Sequence, residues 1–285
     1  MKYLQSLLFL LFALSAQAGR VLTDSIQSNV LGAQVKYNVY VPSGFDNPEK
    51  KFPVVYLLHG LSDNHTMWED RGHVFWVAED LIRSEEACEM VIIMPCAGGQ
   101  PVDKVWNGYF NMPGWNYEDF FFQEFMPSIE KKYHCGGSKG QRAIMGLSMG
   151  GGGSIIYCQR HPEMFSSCFA MSAWLDNEDF YVGGKDTPKD SKLSYVMASV
   201  NEYSALKYLR NITDEQREKM RSIHWFLDVG DDDGLLDLSL DFYALMRKNN
   251  IKCELRVRDG VHCWEYWRHS VRMALPFATR NFYKK

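Results

Sequence analysis

The sequence predicts a single α/β domain, with helices on both faces of a mostly parallel central sheet. Three observations carry that expectation. Short apolar runs alternate with longer helical stretches along most of the chain, the order that strand–helix–strand units produce. Runs such as Val54-Val55-Tyr56-Leu57-Leu58 and Val91-Ile92-Ile93-Met94 are apolar throughout rather than at every second position. Strands read that way when helices bury both of their faces. The 285 residues are 46% hydrophobic and 14% aromatic, and no Pro/Gly/Ser-rich linker divides them, so one large core is expected.

The elements follow in order. Residues 1–18 read as a secretory signal peptide: Lys2 gives the positive start, residues 4–14 a short apolar run, and Ala16-Gln17-Ala18 a small-x-small cleavage site. The run is too short to span a bilayer. A single domain over residues 19–285 is therefore expected, secreted or periplasmic, with no stable membrane insertion once the signal is removed. Residues 20–41 read as two extended segments around Leu31-Gly32-Ala33, an early hairpin. Strands are expected at 52–58, 90–94, 142–146, 167–171, 224–229 and 252–257. Helices are expected at 75–83, 117–132, 150–160, 235–248 and 264–282. In doubly wound sheets the functional groups gather at the carboxyl ends of the strands.

Charge and cysteine content exclude some functions. A formal charge of -4 gives no basic field for nucleic acid or anionic lipid. The seven cysteines contain no C-x-x-C pair and no metal-ligand spacing with histidine, so no zinc site is expected. An odd number leaves at least one unpaired within the monomer. Cys168 and Cys253 lie in strand-like runs, where cysteine acts as a small buried hydrophobe.

Gly146-Leu147-Ser148-Met149-Gly150 matches G-x-S-x-G, between a strand-like Arg142-Ala143-Ile144-Met145 and a helix-like Ser154-Ile155-Ile156-Tyr157. A nucleophilic serine needs a turn sharp enough to stand its hydroxyl clear of the backbone, and flanking glycines relieve the crowding. The hydroxyl also needs a base, and the base a carboxylate to fix its tautomer. In α/β-hydrolases these follow in the order serine, acid, histidine. Of the downstream histidines, His224 precedes the good acids and His269 sits inside a helical stretch. His262 follows a strand and Asp259-Gly260, and is the expected base. The acid should come from Asp228, Asp231, Asp232 or Asp233 after the preceding strand, and spacing alone does not choose. The oxyanion of an acyl-transfer intermediate needs backbone donors. Met149 N–H and Leu61 N–H are the candidates, with His59 bracing the Leu61 loop.

Together these pieces resemble the esterase D-like branch of the α/β-hydrolases, most closely the family-one carbohydrate esterases, which include feruloyl and acetylxylan esterases. The resemblance runs from about residue 39 to 283. It rests on Tyr56-Leu57-Leu58-His59-Gly60 with Trp68, Ile93-Met94-Pro95, Glu124-Phe125-Met126-Pro127, and Gly146 to Gly151. Asp228-Val229-Gly230-Asp231-Asp232-Asp233 and Gly260-Val261-His262-Cys263-Trp264-Glu265-Tyr266-Trp267 complete it. The family's G-x-x-D acid motif, aligned from Gly230, selects Asp233, with Asp232 next. Gly234 and Trp174 depart from the family pattern. The segment 96–115 reads mostly as a long surface loop; within it Trp106, Tyr109 and Trp115 are candidates for an acyl- or sugar-binding wall. Trp174 and Trp264 are further substrate-binding candidates.

The resemblance implies a serine carboxylic-ester hydrolase that removes acyl groups from plant cell-wall polysaccharides or oligosaccharides, using no metal or organic cofactor. Feruloyl esters stand slightly ahead of acetylxylan. Export argues against the S-formylglutathione hydrolases within the same resemblance, because glutathione conjugates are handled in the cytosol. Acyl transfer to another alcohol, as in secreted mycolyltransferases, is a second enzyme class. A non-catalytic carbohydrate-binding protein is a third reading, against which every triad position being filled argues. The two sequons at Asn64 and Asn211 are read as chance matches.

Overall fold

The computed structural model describes residues 18–179 and 181–282; the expected signal segment therefore lies outside the described residues up to position 17. Among the described residues ten strands occur in chain order: β1 (Arg20–Ser28), β2 (Ala33–Val41), β3 (Val54–Leu58), β4 (Val91–Pro95), β5 (Asn111–Met112), β6 (Trp115–Asn116), β7 (Arg142–Leu147), β8 (Ser167–Met171), β9 (His224–Gly230) and β10 (Cys253–Arg258). Eight of them form one sheet in the order β1-β2-β4-β3-β7-β8-β9-β10. The β1–β2 and β2–β4 pairings are antiparallel and the rest parallel. The expected hairpin and all six expected strands are present within two residues of their anticipated ends.

The helices are α1 (Met67–Asp70), α2 (Val74–Arg83), α3 (Tyr117–Asp119), α4 (Met126–Lys132), α5 (Met149–Arg160), α6 (Lys192–Glu202), α7 (Ala205–Arg210), α8 (Asp214–Arg221), α9 (Leu236–Lys248) and α10 (Trp264–Asn281). Side chains alternate along β3: Val54, Tyr56 and Leu58 enter one core, and Val55 and Leu57 the other. Helices α2 and α10 cover the second core, while α4, α5, α7 and α9 contribute to the first. Both faces are thus buried, which is why these strands are apolar at every position.

Two expectations need correction. The helix expected over 117–132 is interrupted by a π-helical stretch, Phe120–Phe125, whose Phe120, Phe121 and Phe125 are all buried. The segment after β4 is a surface loop only in part. Ala97, Tyr109, Phe110 and Met112 are buried in the core, and the buried Asn107 side chain pins the loop by hydrogen bonds with Gly99 and Val105. Burying those aromatic rings outweighs the turn-forming tendency of the neighbouring glycines.

Candidate active site

Strand β7 ends in a sharp turn onto α5, and Ser148 occupies it with φ 52° and ψ −116°. A non-glycine residue at positive φ is strained by about 1–3 kcal/mol, so the surroundings must hold it. Ser148 N–H donates to the Met171 carbonyl over 2.8 Å, and its own carbonyl accepts from the N–H groups of Gly152 and Trp174, each at 3.0 Å. Glycine is required on both sides because the backbones meet. A Cβ on Gly146 would run into the Gly150 carbonyl, and one on Gly150 into the Leu58 and His59 carbonyls.

The structure brings the three expected side chains together. Ser148 Oγ lies 2.9 Å from His262 Nε2. His262 Nδ1 lies 3.0 and 2.9 Å from the two Asp233 carboxylate oxygens. A carboxylate only accepts, so Nδ1 carries the proton and Nε2 is left to accept from the serine hydroxyl. The hydrogen bonds separate Asp233 from its neighbours in the acidic run. Asp228 is buried but committed to Arg256, by bonds of 2.9 and 2.6 Å, and to Tyr266 Oη at 2.8 Å. Asp231 accepts from Gly260 N–H, and Asp232 is exposed. Burial alone would raise the Asp233 carboxyl, but the His262 bond, the Leu235 N–H and the Ser172 hydroxyl outweigh it and hold it below its usual value. It therefore remains an anion able to orient the imidazole. His224 and His269 are both exposed and stand apart from this chain of hydrogen bonds.

The loop after β3 packs against the nucleophile: a Cβ on Gly60 would lie 3.7 Å from Ser148 Cβ. Leu61 lines the cavity at Ser148, and Met149 opens α5, where its N–H has no acceptor within the helix. His59 braces this loop. Its Nδ1 donates to Gly60 O at 2.8 Å and its Nε2 accepts from Ala97 N–H at 2.8 Å. Full burial pushes its pKa down to about 4, so the ring is neutral, as its two partners demand.

The cavity at Ser148 measures about 450 Å³ and is walled by Trp174, Trp264 and Trp267. Trp174 and Trp264 therefore sit where the sequence placed them. Trp106 and Trp115 do not; they line a second cavity. Tyr109 lines neither: it is 1% exposed and its hydroxyl donates to His59 O. Part of the 96–115 segment folds into the core, and its two indoles line a cavity with Asn64 and His65 rather than with residues 60–63. Sequence reasoning missed Trp267, which packs edge-on against the His262 ring at 4.8 Å and donates to Ser172 Oγ. Its spacing of three from Trp264 on α10 was the available signal. Asp63 and Arg71, which also line the cavity, had none. Burial raises the Asp63 carboxyl above its usual value.

The Esterase family matches this chain over residues 28–278. The chain belongs to that family. A solved ferulic acid esterase is 47% identical, with a TM-score of 0.88 over 93% of this chain and 99% of that one. A CE1 ferulic acid esterase from Anaeromyces mucronatus, solved with ferulic acid, shares the fold at a TM-score of 0.71 and 20% identity, over 94% of each chain. Among curated proteins, an endo-1,4-beta-xylanase/feruloyl esterase from Xylanibacter ruminicola is 28% identical over 151 residues, 52% of this chain. Endo-1,4-beta-xylanase Y of Acetivibrio thermocellus is 26% identical over 92% of this chain. The matched regions are only 20% and 23% of those two relatives' lengths. The chain is thus a serine carboxylic-ester hydrolase of the Esterase family, with the α/β-hydrolase fold.

Proposed function

We propose that this protein is an exported esterase that releases hydroxycinnamoyl groups, ferulate foremost, from plant cell-wall polysaccharides. The observation that carries the reading is the hydrogen-bonded chain Ser148–His262–Asp233 at a cavity walled by indoles. Ser148 Oγ attacks the ester carbonyl as His262 Nε2 takes its proton, and the imidazolium then protonates the leaving sugar hydroxyl. Asp233 holds the imidazole in the required tautomer. The N–H groups of Leu61 and Met149 receive the developing oxyanion. Water, deprotonated by the same His262, then cleaves the acyl-enzyme and frees Ser148.

Cavity size favours an aromatic acyl group. A volume of about 450 Å³ bounded by three tryptophans greatly exceeds what an acetyl group fills, and flat rings bury large areas against indoles at small entropic cost. The 47% identical ferulic acid esterase and the xylanase-linked relative support the same class. Export rests on the basic start, apolar run and A-x-A site before Gly19. The test is paired hydrolysis of methyl ferulate and 4-nitrophenyl acetate by the purified protein. Turnover of both with a much higher kcat/KM for ferulate is expected; acetate-only turnover would refute the hydroxycinnamoyl assignment.

A further inference from the structure

The second cavity, of about 520 Å³, opens beside the loop that follows β3. Residues 60–63 of that loop line the cavity at Ser148, while Asn64 and His65, next in the chain, line the second cavity. Its floor is aromatic. Trp106 and Trp115 stack with 11° between their planes and 6.0 Å between centroids, and Trp115 is fixed by its Nε1 donating to Gly108 O at 3.2 Å. Its charge is one-sided: Lys36, Lys104 and Lys192 line it and no carboxylate does. That is notable in a chain with 35 acidic and 31 basic residues. None of these lysines is ion-paired among the described residues. Lys192 Nζ instead lies 4.3 Å from the Trp106 ring centroid. His65 Nδ1 is buried with no hydrogen-bond partner among the described residues, and burial, with Lys36 nearby, lowers the pKa of its ring.

We propose that this cavity binds a uronic acid residue of the same polysaccharide chain whose ester is cleaved at Ser148. The indoles offer apolar area to a pyranose face, and the lysines neutralise the carboxylate. The inference rests on the polysaccharide-ester reading, because a substrate held at both cavities must extend beyond the acylated sugar. The enzyme would then prefer esters on acidic, uronate-decorated chains over those on neutral ones.

The test is calorimetric titration of the Ser148→Ala protein, which binds without turnover, with a glucuronic-acid-substituted xylo-oligosaccharide and its carboxyl-reduced counterpart. The acidic form should bind at least about tenfold more tightly, as charge-assisted contacts imply. A Lys104→Gln/Lys192→Gln double change, at residues outside every ion pair among the described residues, should abolish that preference with the circular dichroism spectrum unchanged. Trp106→Ala should weaken both forms. Equal affinity for the two oligosaccharides, or a preference that survives the double lysine change, would overturn the proposal. So would tighter competition by free ferulate, which would make the cavity a product site. Failure of methyl ferulate turnover by the wild type would sink the esterase reading without touching these binding results, so the two failures are distinguishable.

Discussion

His59 ties acid stability to the oxyanion loop. In the fold its Nε2 must stay unprotonated to accept from Ala97 N–H, and its pKa is depressed to about 4 from an ordinary value of 6.5. The unfolded chain therefore binds a proton that the folded chain refuses. The sign follows: stability is fully present above about pH 6.5 and is lost as pH falls toward 4. Between about pH 7.5 and pH 4.5 the linkage amounts to roughly 2–3 kcal/mol from this group alone. Urea unfolding of the wild type and of His59→Gln at those two pH values isolates it, since other titrating groups cancel in the difference. The pH-induced loss should be smaller in the variant by about that amount. Equal losses in the two proteins would refute the reasoning, because His59 would then titrate as freely in the fold as out of it.

Other consequences are equally concrete. Asp233→Asn should preserve the fold but lower kcat by about 10⁴-fold by favouring the wrong imidazole tautomer, whereas Asp232→Asn at the exposed neighbour should leave kcat/KM for methyl ferulate unchanged. Gly152→Ala would ordinarily strengthen a helix by about 1 kcal/mol. Here its Cβ would overlap the Trp174 carbonyl oxygen, so thermal unfolding should show a net loss of about 1–3 kcal/mol. Gly19 N–H donates to Glu79 Oε1 at 3.1 Å, so cleavage after Ala18 would place an ammonium on that carboxylate. Glu79→Gln should then destabilise a chain beginning at Gly19 by about 1 kcal/mol more than one with extra residues before it; denaturant midpoints measured on both chains would show the difference.

The central strands were legible because burial on both faces leaves an unbroken apolar run, as in Val54 to Leu58. Ser148 and His262 were legible because a strained turn and a strand-end loop restrict residue type tightly. The helices α6, α7 and α8 were not anticipated: α8 is polar, with Met220 its one buried residue, and α6 and α7 are short, with apolar residues broken by Ser, Lys and Asn. Their caps were nevertheless written: Ser191, Ser204 and Thr213 each accept from a first-turn N–H, and Thr213 with Gln216 forms a capping box. The choice of Asp233 over Asp232 depended on which carboxylate turns inward, and a run of three aspartates hides that. The tryptophan walls were hardest. Trp106, Trp115, Trp174 and Trp264 look alike in sequence, and only the path of the loop after β3 separates the two pairs into different cavities.

The most direct test of the account is to trap the acyl-enzyme. The wild type would be mixed with methyl ferulate, quenched in acid within the first turnovers, digested and mapped by mass spectrometry beside Ser148→Ala. A feruloyl group should appear on the peptide carrying Ser148, with neither adduct nor turnover in the variant. Ferulate release that persists in Ser148→Ala, or an acyl group carried on another residue, would contradict it.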